Sequence, residues 1–593
     1  MKRPNVRFPR KFLADFSLLA VSLPAMLFAL SEDRPMIGGR YTAESTNWSA
    51  ALHGMEYRGS SRRWRIPRSL NRGEKSRQIA VDLSRSNAKG IAAMDGERVS
   101  PMQIEACSGR LTRRALFERA SCILAMGVLR RGGWMVAQSV SPVMATLSHY
   151  MAQARTRALP GEVAEKTKQH VLDTLAAMIS GADLPPGLAA IRFAKAYRGD
   201  QVSTVVASNI LCGAIEAALT NGILAHSDET DDSHAPSQSH PGCAVVPAAL
   251  ATAEQFGMDG VQFVRAVALG YDVGTRVTMS LGGAKFQTES HRSTHALAGV
   301  FGAAAAAGSS ASLNIQQMRW LLDYSAQQAS GIAAWQRDTE HIEKAFVFAG
   351  MPARSGVTAA LLVRSGWTGV QDILSGTDNF LAAFAPQADP MKLVENLGES
   401  YEVTRTNIKK WTVGSPIQAP LDALELILKK HSFAVEQVQN VTVRVGTQEA
   451  VIVNNREMPD ICLQHMVAVM LIDRTVSFRS AHDKARMQDR AVVRLRAKVN
   501  LVPDENLDRL LPRRIAIVEV TVTGGKTLSQ RVDDVRGTAE NPMTRDEVVA
   551  KCRDLMNPVL GISRCAKLID MVLGLENVKD MRELRPLLQR VEA

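Results

Sequence analysis

Apolar residues recur at three- and four-residue intervals from about residue 142 to about residue 375, the period of helices with one buried face. Residues 143–152 and 163–179 carry the pattern most cleanly, and Pro160-Gly161 and Pro185-Pro186-Gly187 punctuate it. Later segments, 299–308 and 357–364, are rich in Ala and Gly. Small side chains let helix backbones approach closely, so these segments predict a tightly packed all-α core. After about residue 396 the texture changes. Residues 438–445, 491–499 and 516–525 alternate apolar and polar side chains, as half-buried strands do, with helical patterns at 419–430 and 464–472 between them. Helical periodicity returns at 545–556 and 565–575. The pattern predicts a mainly α protein: a large all-helical domain over 141–395, a smaller α+β domain over 396–540, and C-terminal helices over 541–593 that pack back on the helical domain. Clefts between such domains commonly hold small-molecule sites.

One segment breaks the apolar pattern. The seventeen residues from His226 to Gly242 hold four carboxylates and three imidazoles, with no Lys or Arg. Small-residue apolar stretches flank it on both sides, at 213–225 and 243–253. Charged side chains are rarely buried unless paired, so such a run is either solvated or functional. Its position between two core helices predicts the floor of an active site. Crowded carboxylates and imidazoles suit proton transfer, because repulsion and burial raise a carboxyl pKa while histidine already titrates near neutrality. The Pro241-Gly242 turn is placed to aim His240 into the cavity. Asp231, Asp232 and Ser237 are expected mostly to cap the next helix or close local turns. A competing chemistry is a metal site: His226, Asp228, Asp231, Asp232, His234 and His240 would ligate zinc, manganese or iron if they converged. Their spacing matches no fixed metal motif.

Charge narrows the partners. The net charge of +12 invites a polyanion, but residues 1–140 hold 24 Lys and Arg against 11 Asp and Glu, whereas residues 141–593 hold 47 against 48. The folded part therefore offers no electrostatic footprint for nucleic acid. The basic leader has two signal-like stretches. Residues 1–30 pair a basic start with an apolar run, and Thr112-Arg-Arg-Ala-Leu-Phe117 is similar to a twin-arginine signal within residues 110–137. Neither apolar run reaches the roughly 18 residues needed to span a bilayer. Seven cysteines without a Cys-x-x-Cys pair exclude zinc ribbons and disulfide frameworks, and disfavour an iron–sulfur cluster. Cys243 reads as a small buried residue at a helix start.

Two further polar clusters sit in apolar surroundings. His291-Arg-Ser-Thr-His295 precedes the Ala-rich helix, where its hydroxyls and amides could hold an anion. Arg337-Asp-Thr-Glu-His-Ile-Glu-Lys344 leads into a helix bearing Arg354, and this lysine and arginine could clamp substrate carboxylates.

These segments resemble the MmgE/PrpD family, which includes 2-methylcitrate dehydratases and cis-aconitate decarboxylases. The likeness runs from about Pro142 to the C-terminus. It rests on Asn221-Gly-Ile-Leu-Ala-His226, on Asp231-Asp-Ser-His-Ala-Pro-Ser-Gln-Ser-His-Pro-Gly242, on the stretch from Ser293 through the Ala-rich helix, on Glu343-Lys-Ala-Phe-Val-Phe-Ala-Gly-Met-Pro-Ala-Arg354, and on Lys409-Lys-Trp-Thr-Val-Gly-Ser-Pro-Ile-Gln418. The resemblance implies a cofactor-free site between a helical and an α+β domain, in a homodimer. It puts the family's acidic residue on Glu229, its hydroxyl residue on Ser233, its His-Pro histidine on His240, and its lysines on Lys344 and Lys409. The chain departs from the family pattern in having Glu at 229, apolar Phe346-Val-Phe348 after the central lysine, and Gly414-Ser415 with Gln418 where Arg and His are common. Fewer cations in the pocket would argue for a small or weakly charged substrate.

The expectation is a metal-independent lyase of the dehydratase type. Glu229 or His240 would remove a proton alpha to a carboxylate, the other would assist the leaving hydroxide, and Lys344 would stabilise the developing negative charge. Ser233, His234, His295, Arg354 and Lys409 would contact the substrate. Decarboxylation or epimerisation would use the same groups. A metal-dependent hydrolase and a non-catalytic binding protein are the alternatives from other classes. The expected partner is a small carboxylic acid, with no cofactor, no nucleic acid and no stable membrane insertion. The expected location is the cytoplasm, or outside it if the twin-arginine stretch is a true signal.

Overall fold

The computed structural model describes residues 140–590. The basic leader, with its twin-arginine-like stretch, lies outside the described residues. The helical part begins with α1 (Pro142–Gln153), where Ser141 accepts from the Met144 N–H at 3.2 Å and Pro142 opens the first turn. It continues through α2 (Gly161–Gly181), α3 (Pro185–Ala196), α4 (Ala214–Ala225), α5 (Gly242–Phe256) and α6 (Gly260–Leu281). It is completed by α7 (Thr294–Ser310), α8 (Ile315–Gln327) and α9 (Met351–Arg364). Every residue of α7 is buried, and the helix packs against α5, α6 and α9. Glycine is required at these crossings. A Cβ on Gly356 of α9 would lie 2.4 Å from the Ala304 nitrogen of α7, and one on Gly302 would lie 2.7 Å from the Gly270 oxygen of α6. The small-residue stretches of the sequence are thus the helix contacts of one large apolar core.

A second core is built by α10 (Ser415–Lys430) and α11 (Leu463–Asp473) with a four-stranded sheet. Its strands are β1 (Val438–Gly446), β2 (Val499–Asp504), β3 (Ala516–Val522) and β4 (Thr527–Val532), in spatial order β2-β1-β3-β4. The β1–β2 pair is parallel and the other two are antiparallel. Val441, Val443, Val518 and Val520 turn inward on the core while Thr442 and Glu519 face out, the alternation visible in the sequence. One predicted strand is wrong. Residues 491–499 alternate, yet Arg490–Arg496 is a helix and the strand starts only at Val499. The Asp489 carboxylate accepts from the Ala491 and Val492 N–H groups at 2.8 and 3.0 Å, nucleating a turn that buries Val492 and Leu495 at a spacing of three. The fold is therefore mainly α with a smaller α+β part.

Two C-terminal helices, α12 (Arg545–Leu560) and α13 (Ile562–Leu573), pack on α2. Buried Lys551 of α12 reaches Asp173 of α2 at 2.6 Å and donates to the Thr230 carbonyl at 3.0 Å. Removing one partner of a buried ion pair strands the other charge. Lys551→Met should lower stability by about 3 kcal/mol in urea unfolding, at the lower end for such pairs. Asp173, whose carboxyl burial already pushes up, relieves part of the cost by taking a proton. Lys551→Met with Asp173→Leu should recover most of the loss.

Candidate active site

The acid-rich segment between α4 and α5 is not solvated: all four of its carboxylates and all three of its imidazoles are buried. Each carboxylate has its own partners. Asp228 accepts from the Thr230 N–H at 3.0 Å and meets His482 Nε2 at 2.9 Å. Asp232 binds His170 Nδ1 at 2.8 Å, the Tyr271 hydroxyl at 2.5 Å and the Gly242 N–H at 3.0 Å, fixing the segment to α2, α6 and the start of α5. Asp231 joins His226 Nδ1 at 2.9 Å, His240 Nδ1 at 3.0 Å and Lys409 Nζ at 3.5 Å. Glu229 pairs with Lys344 and lies 3.8 Å from Lys409 Nζ, which also donates to the Glu229 carbonyl at 2.7 Å.

These partners set the charges. Burial works against an ionised Asp231, but His226, His240 and Lys409 outweigh it and hold the carboxyl well below its ordinary range. Burial likewise opposes ionised Glu229, and Lys344, Lys409, His341 and His226 overcome it. His240 shifts the other way. Burial lowers its pKa against the pull of Asp231, so the ring is neutral at pH 7. With Nδ1–H donated to Asp231, the basic atom is Nε2. His240 also lines the cleft between the two cores, so this dyad faces the space where a ligand would enter.

Aromatic rings close the other side. Phe348 stacks on His226 at 4.5 Å and on His295 at 3.8 Å between ring centroids, and Trp335 meets it edge-on at 4.7 Å. Lys344 Nζ lies 5.1 Å from the Phe348 ring and 5.4 Å from that of Trp335. A π-helical turn at Phe346–Gly350, between the short helix Ile342–Ala345 and α9, delivers Phe348 to this place. Such turns recur at functional sites. The apolar replacement noted in the sequence is thus the ring on which two site imidazoles stack.

The structure brings Glu229, Lys344 and Lys409 together, with His240 joined to them through Asp231 and Lys409, and His295 5.2 Å from His240 between ring centroids. Ser233 lines the cleft, its backbone bridged to Asn407. His234 also lines the cleft, with both nitrogens engaged, by Ser237 Oγ at 2.8 Å and Glu402 Oε2 at 3.2 Å, so the ring pins its own loop. Arg354 departs from expectation. Arg354 is half-buried on α9, lines no part of the cleft and makes no ion pair among the described residues. Arg405, Arg513, Arg514 and Arg536 line the cleft, but Glu402, Asp534, Glu449 and Glu547 neutralise them in turn. The cleft, of about 170 Å³, is small and close to neutral at its rim.

The six residues weighed as metal ligands do not converge, because their acids are divided among different partners. His226, Asp231 and Cys243 alone come close enough to share an ion among the described residues. They fit one poorly. The Cys243 thiol is committed to the His240 carbonyl at 3.1 Å, and burial pushes its pKa well up.

Sequence reasoning weighed His226 and Asp231 only as metal ligands or a helix cap, not as partners of His240, and did not single out His482 of the α+β part. His482 lies between Asp228 and the Phe478 carbonyl, at 2.9 and 2.7 Å. Burial opposes its charge, but Asp228, Asp460 and that carbonyl raise the imidazole from 6.5 to about 9. Because the folded value lies above the unfolded one, the pair stabilises fully below about pH 6.5 and loses this contribution as pH rises through 9. The pH dependence of urea unfolding should therefore slope downward between those values, and His482→Gln should flatten that slope.

Comparison with known proteins agrees with this architecture. Residues 145–392 match the MmgE/PrpD N-terminal domain and residues 411–577 match the MmgE/PrpD C-terminal domain. The chain is 25% identical over 478 residues to the cis-aconitate decarboxylase-like protein oryM of Aspergillus oryzae, covering 75% of this chain and 97% of that protein. It is 23% identical over 485 residues to a cis-aconitate decarboxylase of Aspergillus terreus, covering 76% and 96% of the two chains. The Homo sapiens cis-aconitate decarboxylase is 25% identical over 482 residues, covering 77% and 95%. With both domains matched in order around a buried His/Asp/Lys cluster, the chain belongs to the MmgE/PrpD family.

Proposed function

We propose that the protein is a lyase that moves a proton at the carbon beside a carboxylate of a small organic acid, without a metal. The observation that carries this is the His240–Asp231 pair: a neutral imidazole at the cleft, held from behind by a buried, ionised carboxylate. In dehydration, His240 Nε2 takes the alpha proton, the electron pair becomes the new C=C bond, and the C–O bond to the hydroxyl breaks. The departing hydroxide takes a proton from the Lys344 ammonium. Asp231 stabilises the imidazolium that forms, and Lys409 faces the developing enolate-like charge. Glu229, held ionised, is an anchor for both lysines and not the base.

Decarboxylation is the second reading, favoured by what the curated relatives are named for. There the C–C bond to the carboxylate breaks, CO₂ leaves, and the electron pair on carbon takes a proton from His240 as imidazolium. A neutral resting imidazole favours the base role, and therefore dehydration. Incubating the protein with malate, citrate and cis-aconitate in deuterated water, with proton NMR and trapping of CO₂, separates the readings. Alkene formation without CO₂ supports dehydration, and CO₂ release supports decarboxylation. No turnover and no carbon-bound deuterium with a broad panel of acids would remove both. The same reading takes the enzyme as a cytoplasmic homodimer, checked by light scattering and by the N-terminal residue of native protein.

A further inference from the structure

His341 breaks two rules of protein interiors at once. It is 4% exposed while the next residue, Ile342, is 37% exposed, so a polar ring is buried where an apolar one is left in water. Among the described residues neither ring nitrogen has a hydrogen-bond partner, which is rare for a buried polar side chain. Its backbone is left-handed, φ 64° and ψ 7°, a conformation unfavourable for a residue with a Cβ and concentrated at functional sites. Asp338 holds the turn from both ends, accepting from the Glu340 and Lys344 N–H groups at 2.9 Å each. Between them the chain bends so that His341 alone of residues 339–343 is buried.

The ring lies beside the site just described. Its centroid is 5.1 Å from that of His226, which stacks on Phe348 and binds Asp231. His226 Nε2 and His295 Nδ1 are likewise buried without a partner among the described residues. Two imidazoles stacked on Phe348, and His341 beside one of them, thus leave nitrogens unused near the Lys344–Glu229 pair.

We propose that His341 is a substrate-binding residue that, with His226, holds an oxygen of the substrate other than that of the reacting carboxylate, namely a hydroxyl group. This rests on the carboxylic-acid reading above and assigns the residues that hold the hydroxyl which dehydration removes. A hydroxyl both donates and accepts, and so does a neutral imidazole, whereas a second carboxylate would call for a cation. Burial and the nearby Lys344 and His226 lower the His341 pKa well below its usual value, against the opposite pull of Glu229 and Asp228, so the ring is uncharged in the working range.

The test uses the full-length protein with ¹⁵N-labelled histidine and two probes, malate and its deoxy counterpart succinate, followed through the ring nitrogen signals. His240 reports occupancy of the site and His341 reports contact with the hydroxyl. Malate should move both sets of signals, and succinate should move His240 alone. In His341→Phe, malate should bind about tenfold more weakly, the scale of one lost hydrogen bond. Succinate should bind within about twofold of wild type, and His341→Gln should recover part of the malate affinity. A merely structural His341 would shift both affinities together with the melting temperature. Malate and succinate perturbing His240 equally, with His341 silent, would overturn this inference and leave the carboxylic-acid reading standing. His240 signals unmoved by either probe would overturn both.

Discussion

Asp231→Asn should reduce kcat by about 10³-fold, within the range expected when a general base loses the group that orients and charges it. Asp231 is the one carboxylate in the segment that touches two imidazoles, His226 at 2.9 Å and His240 at 3.0 Å. Asparagine keeps the size and one acceptor but removes the charge that stabilises His240 as imidazolium after it takes the proton. The pH profile gives a second check. Asp231 is the main influence raising the His240 pKa against burial, so its neutralisation lets that pKa fall further. The acid limb of kcat/KM, already below pH 6.5 in the wild type, should move to lower pH while the plateau drops. Lys409 retains the Glu229 carbonyl at 2.7 Å, and Asp232 retains its three partners, so the melting temperature should change little. A plateau within tenfold of wild type would remove the dyad from the mechanism.

The legible parts of this protein were those in which neighbours in sequence are also neighbours in space. The alternation of Val441, Val443 and Val445 carries its own answer, since a strand needs no distant partner to show its period. Arg490–Arg496 misled because a two-turn helix buries only Val492 and Leu495, too few positions to distinguish three-residue from two-residue spacing. The same division runs through the site. The segment stood out because charge was crowded between two apolar helices, and the family resemblance pointed within it to Glu229 and His240. Asp231 did not stand out, because a carboxylate near a helix start is usually a cap, and only the fold shows His226 and His240 converging on it. His482 and Asp460 enter from more than 200 residues away, and no local pattern marks them. The arginines of the cleft rim were invisible for the same reason, and their acidic partners even more so. His341 had a faint signal, a histidine beside an isoleucine in a charged turn, but which of the two would be buried depends on a left-handed backbone at that residue.

Lys344→Ala should reduce kcat by about 10²-fold, and the reason extends beyond one lost charge. Lys344 pairs with Glu229 and lies over Phe348 and Trp335, so its ammonium is held between a carboxylate and two ring faces. Electrostatic groups aimed at developing charge commonly contribute on this scale. The deletion also strands Glu229, a buried carboxylate that then relies on Lys409 at 3.8 Å. Glu229→Gln alone should cost less activity than Lys344→Ala, because the lysine remains to meet the substrate. The double variant tests the pairing. If Glu229 acts only by holding Lys344, adding Glu229→Gln to Lys344→Ala should change kcat by less than about threefold, while urea unfolding recovers part of the stability lost in the single variant. A further large loss of kcat in the double variant would instead give Glu229 its own proton-transfer step and return the base to the carboxylate. Full activity in Lys344→Ala would separate the Glu229–Lys344 pair from the chemistry and leave His240, Asp231 and Lys409 as the whole of it.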